Sequence, residues 1–226
     1  MYKIVRNFLS DEEVDFFRSY EGHIHKSSAV GPGRSESYDT SRIAESKVLK
    51  LQHIDRKIIN KFLDIANELK PNAAGYFPME PWSVQTYHSH NGGKFDWHID
   101  RLDYFIPFKN PSNISKEEWN YVKNSSPQRE VSFSVALNDK KDYNGGDFII
   151  DTGDEKQTSV ELNRGDLCVF DSDTYHGVRP VTDRKREALI VWLVYYNKFE
   201  DWIEDVELPE ILSEGVSEYY ESVRSL

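Results

Sequence analysis

The chain has a single cysteine, Cys168, in 226 residues, which excludes an internal disulfide framework. Cys168 sits in an apolar alternation, a context for core packing rather than reactivity, and the low count suits a reducing cytoplasm. Positive charge is also scarce. Against 39 Asp and Glu there are 28 Lys and Arg, giving a formal net charge of -11 and a pI near 5.1. Such a chain repels nucleic-acid phosphate unless a local basic patch overrides the total, so nucleic acid is not an expected partner. No run of about 18 apolar residues occurs, and Met1 to Asn7 has no apolar stretch behind a basic end. Neither a membrane span nor a signal peptide is therefore expected.

What is present suffices for a full core: 38% of residues are hydrophobic and 13% aromatic. The length favours one domain with elaborations. We expect that domain to run over 1–226, with helical and strand support in 1–80, a β core in 81–197 and an acidic helical segment in 198–226.

Tyr2 to Phe8 reads as a short strand. Ser10 with Glu13 fits a capping box opening a helix through about Tyr20. Glu21 to Ser41, polar and carrying Gly31-Pro32-Gly33, reads as loop, followed by a strand near Arg42 to Leu51. Ile54, Ile58, Phe62, Ile65, Ala66 and Leu69 recur at helical spacing until Pro71 stops the helix. From Trp82 onward short strands alternate with turns, as in a sandwich or jelly roll. Val131, Phe133, Val135 and Leu137 alternate with Ser132, Ser134, Ala136 and Asn138, and we read the small face as the side of a cavity. Later strands are expected at Asp147 to Asp151, Thr158 to Leu162, Leu167 to Phe170, His176 to Val181 and Arg186 to Tyr196. The last is apolar on both faces, as a covered central strand should be. Between them, 102–128 mixes Tyr104, Phe105, Phe108, Trp119 and Tyr121 with prolines and lysines. This insertion is expected to be a lid that selects substrate, the alternative being a surface elaboration that covers sheet.

The chemistry concentrates in Lys94 to Asp100. Residues two apart on a strand share a face, so His98 and Asp100 can aim an imidazole and a carboxylate at one point while Ile99 turns into packing. Two His and one carboxylate on one face of an iron are the ligand set of non-haem Fe(II) oxygenases, and His176 would be the third ligand. Asp96 shares the parity of His98 and Asp100 and competes with them. His88-Ser89-His90 is another possible metal pair, whereas His23, His25 and His53 read as solvent-facing. Arg186, ten residues past His176 at a strand start, could hold a distal carboxylate in a two-pronged bond; Arg179, Arg184 and Lys185 compete for that role. Parity favours Arg186, because it shares a face with Ala188, Ile190, Trp192 and Val194, and a cation at the edge of such a face needs an anion.

Several stretches then fall in order: Tyr87, Gly92-Gly93, His98-Ile99-Asp100, Asn144-Gly145-Gly146-Asp147, Arg164 to Phe170, His176, Val178 to Thr182 and Arg186. Over about residues 80 to 197 this set resembles the prolyl-4-hydroxylase-like branch of the 2-oxoglutarate- and Fe(II)-dependent dioxygenases. It departs from that pattern at Asp183-Arg184, where relatives often have glycine. We expect a mainly β fold with packed helices, a double-stranded β-helix (jelly roll).

The resemblance implies that His98, Asp100 and His176 hold Fe(II) and that 2-oxoglutarate binds it through its 2-oxo acid end. It implies that the far carboxylate of the co-substrate meets Arg186 with help from Tyr87, and that Trp192 lines the pocket. Dioxygen would be the oxidant, succinate and carbon dioxide the co-products, and hydroxylation rather than halogenation the outcome, because Asp100 retains the carboxylate. The leading substrate is a prolyl residue in a peptide or protein, then a free amino acid or other small molecule. A cupin-like protein that binds metal and a small acid without turnover, or an interaction module with a vestigial site, are the rivals from other classes.

Overall fold

The computed structural model describes residues 1–22, 24–27, 41–78, 82–101, 128–153 and 156–195. The expected lid (except Gln128), the expected C-terminal helix and most of the polar stretch before Ser41 lie outside these residues. No helix among the described residues is long and apolar enough to cross a membrane.

In chain order the elements are β1 (Tyr2–Val5), α1 (Asp11–Ser19), β2 (Ile24–Ser27), β3 (Arg42–Val48), α2 (Arg56–Leu69), β4 (Tyr76–Phe77), β5 (Ser83–His88), β6 (Lys94–His98), β7 (Val131–Ala136), β8 (Asn144–Gly145), β9 (Phe148–Asp151), β10 (Gln157–Val160), β11 (Leu167–Asp171), β12 (His176–Val178), β13 (Val181–Asp183) and β14 (Lys185–Tyr195). The capping box at α1 forms as the sequence predicts: Glu13 N donates to Ser10 Oγ, and Ser10 N donates to Glu13 Oε2. At α2, Lys57 N donates to the Asp55 carboxylate, and the helix closes at Lys70 just before Pro71.

All strand pairs are antiparallel, and the main path runs β1-β11-β7-β14-β5-β3-β6-β12-β9-β10. The path turns at β3, which pairs with β5 through Glu45 to Val48 and with β6 through Arg42 and Ile43. One strand therefore serves two layers, and the sheet curls into a jelly roll.

Side-chain alternation decides what each layer faces. On β7 and β14, Val131, Phe133, Val135, Leu189, Val191 and Leu193 point outward, where α1 and α2 cover them with Val14, Phe17, Ile58 and Phe62. The small residues Ser132, Ser134 and Ala136 point inward and leave a hollow between the layers. A second cluster, including Tyr87, Ala136, Phe148, Ile150, Cys168 and Phe170, seals that hollow. Burial pushes the Cys168 thiol up to about 12, consistent with a packing role.

Three local expectations need correction. The polar stretch after Glu21 holds β2, which pairs with β3; an added strand of this kind is held by backbone bonds and needs no hydrophobic run. The first strand ends at Val5 rather than Phe8, because Asn7 takes a left-handed φ of 51°. The strand expected over His176 to Val181 breaks into β12 and β13 at Arg179-Pro180, Pro180 having no N–H to give a ladder.

Candidate active site

β6 and β12 lie side by side with His98 directly opposite His176. Their rings sit 4.2 Å apart. Each ring is fixed by the carbonyl two residues before it: His98 Nδ1 is 2.7 Å from the Asp96 carbonyl, and His176 Nδ1 is 3.0 Å from the Thr174 carbonyl. A carbonyl only accepts, so both Nδ1 atoms carry the proton and both Nε2 atoms present a lone pair. Those two atoms face Asp100, with His98 Nε2 3.7 Å from Oδ1 and His176 Nε2 3.4 Å from Oδ2.

Asp100 reaches this point by a different route from the one its spacing predicts. The ladder ends at His98, and Asp100 lies beyond it, held by Asp100 N and Arg101 N, which both donate to the Ser172 carbonyl. The chain bends there, so Ile99 is 36% exposed instead of packed. Burial by itself would raise the Asp100 pKa; the neighbouring His176, His98 and Arg129 outweigh it and hold the carboxyl well below the usual range. Burial, in turn, pushes the His176 imidazole down, toward the neutral form a metal needs.

The donor set fits a metal. One ligand atom from each of His98, Asp100 and His176 falls within 4.8 Å of the others. His98 Nε2 is buried without a hydrogen-bond partner, as expected of an atom kept for a cation. Two imidazoles with one carboxylate suit Fe(II) and leave positions open for other ligands, and the carbonyl-anchored Nδ1 atoms are the outer support such ligands require.

The three residues line a cavity between the layers, whose walls also include Tyr87, Ser134, Arg186 and Trp192. The small face of β7 thus borders the cavity. Arg186 is 3% exposed, while its competitors Arg179, Arg184 and Lys185 are exposed on the turn. Arg186 stands opposite Tyr87 in the β5–β14 ladder, with its guanidinium 5.4 Å from the Tyr87 ring centroid. No carboxylate pairs with Arg186 among the described residues, and its Nη1 is buried without a partner, a costly state that a ligand anion would relieve. Room for it comes from Gly146 (φ 62°): a Cβ there would lie 2.8 Å from Val181 Cγ2 and 3.4 Å from Arg186 Cδ. Trp192 lies in the wall with the Arg129 guanidinium 3.8 Å from its ring centroid.

The remaining candidates fall away from the centre. Asp96 is exposed and paired with Lys94 at 2.8 Å. His88 bonds Glu45 at 3.1 Å and stacks near His90, apart from the three-residue cluster. His53 is exposed and bonded to the Tyr20 hydroxyl; the side chains of His23 and His25 are outside the described set.

Reading the sequence did not find Arg42, Arg129 or Glu130. Arg42 lines the cavity from β3. Arg129 Nη1 lies 3.3 Å from the Asp100 carbonyl, to which it donates. Glu130, buried, accepts from Lys70 (2.9 Å) and Arg101 (3.0 Å), tying the chain next to Asp100 into the scaffold. None sits in a motif; only the fold brings them to the site.

Comparison with known proteins places this geometry. The family model for the 2OG-Fe(II) oxygenase superfamily matches residues 82–194. A PKHD-type hydroxylase of Teredinibacter turnerae is 31% identical over 103 residues, 46% of this chain and 38% of the relative. A PKHD-type hydroxylase of Synechococcus is 28% identical over 119 residues, 53% of this chain and 45% of the relative, so the match spans less than half of these curated relatives. Among solved structures, a Pseudomonas putida prolyl-4-hydroxylase superposes with a TM-score of 0.52 at 18% identity, covering 85% of this chain and 91% of that one. At that identity the likeness carries the fold, and it agrees with the jelly roll described above.

Proposed function

The chain belongs to the 2OG-Fe(II) oxygenase superfamily, and from that premise we propose that it is an Fe(II)- and 2-oxoglutarate-dependent dioxygenase that hydroxylates an aliphatic C–H bond, with a prolyl residue of a peptide or protein as the leading substrate. The observation that carries this reading is the pairing, in one cavity, of a His98–Asp100–His176 donor set with a buried Arg186 that no anion among the described residues answers.

In this reading His98, Asp100 and His176 hold Fe(II), which supplies, with 2-oxoglutarate and dioxygen, the oxidising chemistry. The chain supplies position. Its two Nδ1–carbonyl bonds fix the imidazoles, Arg186 and Tyr87 take the far carboxylate of the co-substrate, and Trp192 closes the wall. The apolar lining, including Phe148 and Phe170, keeps water from the centre. The insertion at 102–128 is proposed as the substrate lid of a single domain.

Two neighbours support a peptide substrate: the P. putida prolyl-4-hydroxylase, and a Trichoplax adhaerens prolyl hydroxylase in complex with a hypoxia-inducible-factor peptide fragment, which has a TM-score of 0.55 and 17% identity and covers 91% of this chain and 87% of that one. The test is succinate release from a set of proline-containing peptides by the Fe(II)-loaded protein, with hydroxylation located by mass spectrometry. Succinate formed only with free amino acids would move the substrate to small molecules. No succinate and no binding of 2-oxoglutarate would leave a metal-binding module.

A further inference from the structure

We propose that Arg42 is a second carboxylate-reading residue of this cavity, recognising the metal-side carboxylate of a 2-oxo acid while Arg186 recognises the far one. The proposal rests on the co-substrate reading above. Arg42 opposes Phe95 in the β3–β6 ladder, and directly opposed residues project to one face. Its guanidinium carbon lies 5.4 Å from the Phe95 ring centroid. Phe95 in turn stacks on His98, with centroids 3.6 Å apart and planes 22° from parallel. Arg42, Phe95 and His98 therefore form a column that starts at a metal ligand, and Arg42 lines the same cavity as that ligand.

Arg186 enters from β14, beside Tyr87. The buried Tyr87 hydroxyl feels both cations: burial pushes its pKa up, and Arg186 and then Arg42 draw it back. The two guanidiniums thus border one cavity from different strands. A 2-oxo acid that meets a metal through one carboxylate oxygen and its oxo oxygen has a second carboxylate oxygen left to satisfy, and in a buried site that oxygen needs a donor. Asp100 cannot supply one. A second guanidinium that lines the same cavity can, in the charge-assisted geometry that makes such bonds strong.

The two roles separate with two probes, 2-oxoglutarate and pyruvate, which keeps the 2-oxo acid end and lacks the far carboxylate. The full chain, loaded with Fe(II) under anaerobic conditions, is titrated with each probe by its visible charge-transfer band, for wild type, Arg42→Ala, Arg42→Gln and Arg186→Ala. Arg186→Ala is expected to weaken 2-oxoglutarate ~10-fold or more and to leave pyruvate unchanged. Arg42→Ala and Arg42→Gln are expected to weaken both probes by a similar factor, also ~10-fold, with Mn(II) affinity measured by electron paramagnetic resonance unchanged; Arg42→Gln keeps the bulk should the alanine variant not fold. Wild-type affinity for both probes in the Arg42 variants overturns the proposal, as does a loss confined to 2-oxoglutarate or one matched by a loss of Mn(II). If wild type binds neither probe, the co-substrate reading itself fails and Arg42 has no carboxylate to read.

Discussion

His98 and His176 face each other across the β6–β12 ladder, and each donates its Nδ1 proton to the carbonyl two residues before it. The same hydrogen-bond device is used twice, on neighbouring antiparallel strands, and it leaves two lone pairs aimed at one carboxylate. A metal ion held there would bind the folded state only, because the unfolded chain has no such convergence. Saturating Mn(II), at about 100 times its dissociation constant, is expected to stabilise the wild type by about 2.7 kcal/mol. For a chain of this size that is roughly 5 to 10 °C in Tm, read by calorimetry. His98→Ala should abolish the shift; a shift of the same size in that variant would place the metal elsewhere.

The Arg186 guanidinium should not be replaceable by an ammonium. It is buried, faces Tyr87, and lines the same cavity as the donor set. Arg186→Lys keeps the charge and loses the fork, so 2-oxoglutarate affinity is expected to fall ~10-fold or more while Mn(II) affinity holds. Isothermal titration of the Mn(II)-loaded protein measures both, and equal affinity in the lysine variant would mean that charge alone suffices.

Much of this site can be read before any coordinates, and the reason is local. His98, His176 and Arg186 lie on strands whose period sets their direction, and the glycines and small residues around them follow from crowding. Gly93 is an example, since a Cβ there would stand 2.5 Å from His88 N and 2.8 Å from the Tyr87 backbone. Asp100 is placed by a distant part of the chain. Its two-residue spacing from His98 suggests a common strand face, yet the strand stops at His98 and Ser172, seventy-two residues downstream in the sequence, sets its place. Arg42 and Glu130 were invisible for the same reason, because an isolated Arg or Glu has no period, and only strand pairing decides what it meets. The exposed Ile99 makes the point from the other side: an apolar residue between two ligands suggests packing, and the bend that delivers Asp100 turns it out.

Gly93 supplies a stability prediction. The Gly93 carbonyl also accepts from Val181 N at 2.9 Å, so the backbone cannot move away from an added methyl without breaking that bond. Gly93→Ala is expected to destabilise the fold by about 2 to 4 kcal/mol. Urea denaturation should report it as a lower midpoint with an unchanged slope, and a midpoint within error of wild type would show that the turn accommodates the methyl freely.

Asp166 gives the fold an acid-sensitive element away from the site. Its carboxylate accepts from Asn7 N, Asn163 N and Arg6 Nη1. Burial would raise its pKa, but those donors and the Arg6 charge lower it below the ordinary carboxylate value. A carboxyl depressed on folding contributes stability that is complete above its unfolded pKa of about 3.9 and is lost as pH falls through the lower folded value. Asp166→Asn is therefore expected to be less stable than wild type at pH 7, by about 1 to 3 kcal/mol, and the gap should shrink as pH is lowered below about 4. Denaturation midpoints at pH 7, 5 and 3 measure it; a gap that stays constant would remove the charge from the explanation.

Glu130 should matter both to the fold and to the metal, for a geometric reason. Its buried carboxylate receives Lys70 from the end of α2 and Arg101 from the residue after Asp100, while its backbone carbonyl receives Ser172 N. Ser172 is the residue whose own carbonyl holds Asp100 N. One residue thus braces two anchors of Asp100, which the β ladder leaves unsupported. Removing a buried ion partner strands the charges it matched, at about 3 to 5 kcal/mol when all are buried. Lys70 and Arg101 are partly exposed and keep Asp171 and Asp173 as partners, so a cost below that range, about 2 to 3 kcal/mol, is expected for Glu130→Ala. The distinguishing readout is Mn(II) affinity at a temperature where the variant remains folded. Loss of Asp100 anchoring predicts ~10-fold weaker metal binding, the lower end of what supporting residues of metal ligands contribute. Wild-type affinity in the folded variant would confine the Glu130 side chain to the scaffold and leave the anchoring of Asp100 to Ser172 and Arg129.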